Sequence, residues 1–298
     1  MNAVLGKYTN GNTTVTIFDD GTKIREWADN ETARSEFPEC IDVNISYRCN
    51  GRCQFCYQNS TIDGPMADLT TFDSWLDMIP PYVEFAMNCN DPEMPHLDEF
   101  LEKLAKRNII ANLTVNQMHF MKHFDRFADW SSGGLVHGIG VSVHTITERT
   151  IDLLGKLDNV VVHTINGILS PHTMYALADH NLKLLILGYK DIGLGRKFKS
   201  MRPVEVEQNM RWLYLNIDRM CSRFDVISFD NLAVKQLNCR RFVKDWDKFY
   251  MGDDGTHSMY VDLVHKTYSR SSLMSEDMRI PFDASTNIRD MFANIRID

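Results

Sequence analysis

Long hydrophobic runs are missing from this chain: no stretch of its 298 residues approaches the roughly 20 apolar residues that a membrane-spanning helix needs. The amino terminus, MNAVLGKYTNGNTT, has neither a basic start nor an apolar stretch, so no secretory signal is read there and the cytoplasm is the expected compartment. Excess positive charge is missing too. Thirty-two lysines and arginines stand against 40 aspartates and glutamates, a formal net charge of −8, and phosphate neutralisation needs a basic face. Long nucleic acid is therefore not an expected partner. The seven cysteines are not an even set, and without a secretory signal they argue against a disulfide framework. Internal repeats beyond a strand–helix unit and low-complexity tracts are also lacking. What is present is an ordinary globular composition, 44% hydrophobic and 24% charged, sufficient for one large core with small additions.

The chain opens on a hairpin pattern, in which residues 14–18 and 22–26 flank Asp19-Asp20-Gly21, a turn with glycine at its end. A polar stretch follows, and Phe37-Pro38 marks a boundary before the main domain. From Ile41 onward, short apolar strands alternate with helical patterns. Strands are predicted over 41–47, 83–87, 109–115, 138–143, 160–165 and 182–187. Helices are predicted over 70–79, 96–107, 120–130, 148–157, 171–179 and 203–220. In the second helix Leu97, Phe100, Leu101 and Leu104 share a face; in the fifth, Ser170 is the expected N-cap and Pro171 the first helical residue.

Such alternation implies right-handed βαβ units and a parallel sheet. The expected fold class is α/β, a partial (β/α)6 barrel two units short of a full (β/α)8, with N-terminal and C-terminal β-hairpin additions. Residues 226–229 are a candidate seventh strand, and 259–264 with 267–271 read as a second hairpin before a short helix near 287–294. The expected division is an N-terminal hairpin extension over 1–38, the barrel over 39–235 and a C-terminal extension over 236–298, with both hairpins flanking the barrel mouth.

Three cysteines, Cys49, Cys53 and Cys56, fall within eight residues directly after the first predicted strand, at the strand end where such folds carry their chemistry. The spacing is C-x3-C-x2-C. Three thiolates on a compact loop can hold three irons of a [4Fe–4S] cube, and the missing fourth leaves one iron open to a chelating ligand. The alternative is a zinc site with Cys40 as fourth ligand. Zinc favours closed sites built from paired C-x2-C hooks, a spacing found only between Cys53 and Cys56. Cys221 and Cys239 are too isolated to nominate a second cluster.

The loop resembles the signature of radical S-adenosylmethionine (SAM) enzymes, and the resemblance extends from Glu39 to Phe229. It implies a [4Fe–4S] cluster on the three cysteines whose open iron chelates the amino and carboxylate groups of SAM. An electron from the cluster then breaks the sulfonium C–S bond, releasing a 5′-deoxyadenosyl radical that abstracts hydrogen from a substrate. The hairpin around Asp19-Asp20-Gly21 is also similar to uncharacterised radical SAM proteins of phages and mobile elements.

The resemblance implies roles for further residues. Phe55, just before the third cysteine, is the aromatic that packs near the adenine. The family's second strand ends in G-G-E-P, which receives the methionine ammonium; here the segment is Asn88-Cys89-Asn90-Asp91-Pro92-Glu93. Pro92 matches and Asp91 stands for the glutamate, while Asn88, Cys89 and Asn90 replace glycines, asparagine being tolerant of left-handed backbone. Cys89 is read either as a hydrogen-atom donor to a substrate radical or as a small packed residue. Asn116, Ser142 and His144, at later strand ends, are candidates for the ribose and carboxylate of SAM, with His163 and Asn166 behind them and His163 read mainly as a core residue. Gly193-Leu194-Gly195-Arg196 lacks the full phosphate-loop pattern and reads as a flexible loop over the mouth, with Arg196 reaching SAM or substrate. The basic run Arg196, Lys197, Lys199 and Arg202 reads as a solvated loop or as a holder of an anionic substrate.

The leading reading is a radical SAM enzyme, an oxidoreductase or transferase, acting on a small-molecule, nucleotide-like or peptide substrate with an electron donor such as flavodoxin or ferredoxin. A second is an activase that installs a glycyl radical on a partner protein. A third is a non-catalytic barrel that binds SAM or a cluster as a regulator, motivated by the altered glycine stretch.

Overall fold

The computed structural model describes residues 3–28 and 30–296. Its first sheet is small and antiparallel, β1 (Val4–Asn10), β2 (Thr13–Phe18) and β3 (Lys23–Glu26), with β2 in the centre. The expected hairpin is β2–β3. The extra strand β1 has a register shift between Val4 and Gly6, an irregularity that breaks the two-residue alternation by which a strand is read from sequence.

The second sheet carries the fold. Along the chain come β4 (Cys40–Asn44), β5 (Glu84–Asn88), β6 (Ile110–Asn116), β7 (Gly138–Ser142), β8 (Val160–Ile165), β9 (Lys183–Leu187), β10 (Val226–Phe229) and β11 (Ser258–Asp262). All eight pair in parallel in the order β10-β9-β8-β7-β6-β5-β4-β11. Two short antiparallel strands, β12 (Thr267–Ser269) and β13 (Ile280–Pro281), extend the sheet past β11. The class is α/β, as expected.

Two placements differ from expectation. The C-terminal hairpin is not an appendage, because β11 lies beside β4 with Tyr260 opposite Asp42 and Asp262 opposite Asn44. Without β11, β4 would be a sheet edge with unpaired backbone groups, and Met259 and Val261 join Ile41 and Val43 in the core. The N-terminal sheet, in turn, lies at the opposite end of the strands from the cysteine loop. Lys23 pairs with Glu84 at the start of β5, and Arg25 pairs at 2.7 Å with Glu39 just before β4. Of the two hairpins, the C-terminal one therefore lies beside the strand that leads into the cysteine loop and the N-terminal one does not.

The crossovers carry α1 (Asp73–Leu76), α2 (Leu97–Lys106), α3 (Gln117–Lys122), α4 (Phe124–Ser132), α5 (Glu148–Leu154), α6 (Pro171–Leu177), α7 (Gly193–Met201), α8 (Pro203–Met220) and α9 (Asn231–Leu237). Ser170 caps α6 by accepting from the Thr173 N–H, with Pro171 in its first turn. The helix expected over 120–130 is two helices broken at His123 (φ −114°), and that over 70–79 shrinks to a 3-10 turn plus α1. No helix among the described residues is long and apolar enough to cross a membrane.

The strands alternate in burial. On one face Ile41, Val43, Phe85, Met87, Leu113, Val141, Val162 and Ile186 are at most 2% exposed, in the core beneath the helices. Asn88, Thr114, Asn116, Ser142 and His163 point to the other face and are half-buried. A parallel sheet covered by helices on both faces reads as continuous apolar runs. The alternation therefore marks a second face that is polar and reached by water.

Candidate functional site

The chain leaves β4 at Asn44 and turns at the C-terminal ends of the strands. Backbone bonds brace the loop at both sides: Tyr47 N donates to Pro65 O (2.9 Å), Cys49 N to Thr61 O (2.8 Å) and Thr61 N to Tyr47 O (3.0 Å). Cys56 N donates to Cys53 O at 3.1 Å, closing the turn between the second and third thiols. The predicted flexible loop at 193–196 is instead the start of α7, whose Leu194 N donates to Cys56 O at 3.1 Å. Glycine permits that approach. A Cβ at Gly193 (φ +55°) would stand 2.3 Å from Tyr57 O, and one at Gly195 would stand 2.4 Å from Lys190 O.

The three thiols are half-buried. Burial pushes the Cys53 thiol up to about 11, and the charges of Cys56 and Cys49 push it the same way. Burial also raises Cys49, opposed by the Gly51 N–H that donates to its Sγ at 3.3 Å and reinforced by Cys56 and Asp91. Sulfurs that feel one another's charge are neighbours, and a cationic centre bound among them would reverse the penalty.

The donor set fits a cube better than a closed zinc site. Cys40, the expected fourth zinc ligand, opens β4 while the loop follows its far end, and a strand advances about 3.3 Å per residue. Among the described residues no three His, Cys, Asp or Glu side chains gather as ligands of a single ion. A cube asks for something else, since its thiolates bind separate irons. Cys221 and Cys239 lie at the far ends of α8 and α9.

Around the loop, Asn116 ends β6 and caps α3, its Oδ1 accepting from Met118 N at 2.8 Å while its Nδ2 stands 3.5 Å from Cys53 Sγ. His144 follows β7 with Nε2 3.7 Å from the same sulfur and its ring edge-on to Phe55 at 5.0 Å between centroids. Ser142 lies in register with Asn116 on one side and His163 on the other. Phe55 also meets Phe198 of α7 at 5.8 Å. Beside the loop is a cavity of 530 Å³ lined by Gly51, Asn116, Gln117, Met121, His144 and Arg149 among others.

The segment after β5 is braced by its asparagines. Asn88 accepts from Ile45 N at 2.8 Å, and Asn88 and Asn90 each donate to Ser46 O at 2.7 Å. Asp91 accepts from Glu93 N at 3.0 Å, and its charge reaches Cys49 and His119. Cys89 is fully buried in the core, where burial holds its thiol far above the usual range. Arg196 is not brought to the loop. Its side chain is 72% exposed on α7 and lies 3.8 Å from Asp191, and the neighbouring Lys199 and Arg202 pair with Asp191 and Glu205.

No family model matches this chain, and no curated protein matches it in sequence. Solved structures of SuiB from Streptococcus suis are similar. The one bound to precursor peptide SuiA aligns with a TM-score of 0.61 at 13% identity, covering 87% of this chain and 65% of that one. The one bound to SAM gives 0.59 at 11% identity, covering 88% and 68%. The fold is shared with SuiB. At such identities the likeness is one of fold, and the chain spans about two thirds of the length of SuiB.

Several neighbours of the loop carry no sequence signal. His119 of α3, 6% exposed, places Nε2 2.6 Å from Asn50 Oδ1 beside Cys49. Fully buried Asp262 accepts from the Tyr47 hydroxyl at 2.6 Å and lies 3.0 Å from His265 Nδ1 and 3.5 Å from Arg279 Nη1. Lys190 sits 3.7 Å from the Tyr57 ring centroid and donates to Ser272 Oγ at 3.0 Å. His163 lies over Gly140, where a Cβ would meet its ring at 2.2 Å; burial lowers this histidine to about 4. Read as a core residue from sequence, it faces the same side as Asn116 and Ser142.

Proposed function

We propose that this chain is a radical SAM enzyme that acts on a peptide. The observation that carries the reading is three half-buried thiols gathered on one braced loop at the C-terminal end of β4, with Cys40 at the opposite end of that strand. Cys49, Cys53 and Cys56 would hold a [4Fe–4S] cluster. When bound, the cluster supplies the electron that cleaves SAM to methionine and a 5′-deoxyadenosyl radical able to abstract hydrogen. We read the eight parallel strands as the wall of a partial barrel, formed by residues 39–235 together with β11, whose polar face receives SAM and substrate.

In this reading Phe55, edge-on to His144 and Phe198, offers an apolar wall to the adenine. Asn88 and Asn90 hold the turn that presents Asp91, which accepts the SAM ammonium. Ser142 and Asn116 face the ribose and carboxylate from adjacent strands. A peptide is favoured over the other substrate classes because SuiB, similar in fold, was solved with a precursor peptide. An electron donor such as flavodoxin or ferredoxin would reduce the cluster.

Anaerobic reconstitution with iron and sulfide, followed by metal analysis and a search for 5′-deoxyadenosine, tests the proposal. The expected result is about four irons per chain, lost in Cys49→Ala, Cys53→Ala and Cys56→Ala and kept in Cys221→Ala and Cys239→Ala, with slow 5′-deoxyadenosine release under dithionite. Stoichiometric zinc in iron-supplemented preparations would overturn it. A loaded cluster that binds SAM yet yields no 5′-deoxyadenosine with any reductant would instead favour the regulatory reading.

A further inference from the structure

We propose that Asn116 and His144 are positioning residues whose N–H groups donate to Cys53 Sγ and raise the reduction potential of the cluster held there; the assignment rests on the cluster proposed above. The sulfurs are not equivalent. Cys53 has two side-chain nitrogens within reach, Asn116 Nδ2 at 3.5 Å and His144 Nε2 at 3.7 Å. Cys49 has one backbone donor, Gly51 N at 3.3 Å, and no donor to Cys56 Sγ is found among the described residues.

Both nitrogens are aimed by other contacts. The Asn116 Oδ1 accepts the Met118 N–H that caps α3, which fixes the amide's orientation and turns Nδ2 toward the sulfur. His144 is held from two sides, its backbone N donating to Gln117 Oε1 at 3.2 Å and its ring set edge-on against Phe55. A metal-bound thiolate only accepts, so the imidazole proton belongs on Nε2. Asn116 and His144 come from the ends of neighbouring strands β6 and β7, and the sheet holds their separation.

Reduction adds one electron to the cluster and none to the protein, and the added negative charge is shared with the sulfurs. A donor aimed at a ligating sulfur therefore stabilises the reduced state more than the oxidised one. Sulfur is a weak acceptor, so each donor is expected to change the reduction equilibrium about three- to tenfold, or about 30–60 mV for a one-electron couple.

The test is a dithionite titration with redox mediators, followed by electron paramagnetic resonance, on the reconstituted full chain. His144→Phe keeps a ring against Phe55 and removes the donor; Asn116→Ala removes the other donor together with a helix cap. Asn287→Ala, which removes the cap of the C-terminal helix (Ile288–Ala293) at the opposite end of the strands from the loop, is the control. The expected result is full iron loading throughout, a lower midpoint in each of the two donor variants and an unchanged midpoint in the control. Equal midpoints at equal loading overturn the proposal. If one donor variant loses iron, the other decides. If both stay folded by circular dichroism but load no iron, the residues serve assembly and the proposal fails. A wild-type chain that never takes up iron refutes the cluster reading itself, a different outcome from any of these.

Discussion

Replacing Asp262 with alanine should destabilise the whole chain and loosen the cysteine loop together. The carboxylate is fully buried between β11 and the start of the loop. Its Oδ2 accepts from Tyr47 and faces His265 and Arg279, while its Oδ1 accepts the backbone N–H of Val264 (3.0 Å) and His265 (3.1 Å) and the Asn44 amide (3.4 Å). Stripping one partner from a buried charge pair costs about 3–5 kcal/mol, and a hydrogen bond to a charged group contributes about 1.5–3 kcal/mol. These figures do not add, and the Arg279 side chain keeps 13% exposure and a place over the Tyr260 ring at 4.9 Å, so part of its charge stays solvated. A cost of about 3 kcal/mol is expected, a fall in Tm of about 6–12 °C. Urea unfolding of Asp262→Ala, Tyr47→Phe and the double variant isolates the hydroxyl–carboxylate coupling, expected at about 1–2 kcal/mol. Because Asn44 and Tyr47 lead into the loop, iron uptake on reconstitution should fall with stability. An Asp262→Ala chain within 0.5 kcal/mol of wild type, a threshold of about the size of a surface substitution, would refute the reasoning.

Gly193→Val should push α7 off the cysteine loop, because its Cβ would stand 2.3 Å from Tyr57 O; the measurements are Tm and iron content, and an unchanged pair of values counts against the docking. Asp42 is pushed up to about 6 when folded against 3.8 ordinarily, the crowding of the surrounding strands being the main cause and Lys190 opposing it, although its side chain stays open to water. Between those values the folded state binds more protons, so its contribution is fully present at the acid end and falls as pH rises through the window. Asp42→Asn should flatten that slope and stabilise the chain at neutral pH by on the order of 1 kcal/mol, discounted because water reaches the side chain; urea unfolding across pH checks it. Asp91→Ala should weaken SAM binding about ten- to a hundred-fold with the cluster intact, and unchanged affinity by titration would show that Asp91 does not take the ammonium.

Much of the fold was legible before any coordinates. The six strands predicted between 41 and 187 appear as β4–β9, the strand over 226–229 is β10, and the long helix over 203–220 is α8. These are local patterns, since strand and helix periods repeat within a few residues. The cysteine loop was legible for the same reason, all three thiols lying within eight residues. Local rules also misled. Gly193 and Gly195 read as a flexible loop because glycine is helix-breaking in isolation, yet here they let α7 touch the backbone of Tyr57 and Lys190.

By itself, then, the sequence determined the alternation of strands and helices, the α/β class and the clustering of thiols after the first strand of the main sheet. Only the tertiary structure decided that β11 closes onto β4, that the N-terminal sheet sits at the end of the strands away from the loop, and that Asn116 and His144 meet Cys53. The physical reason is distance along the chain. Tyr47 and Asp262 are 215 residues apart, and Asn116 and His144 lie 63 and 91 residues from Cys53. Contacts at such separations follow from strand order and register across the sheet, which no periodicity along the chain encodes.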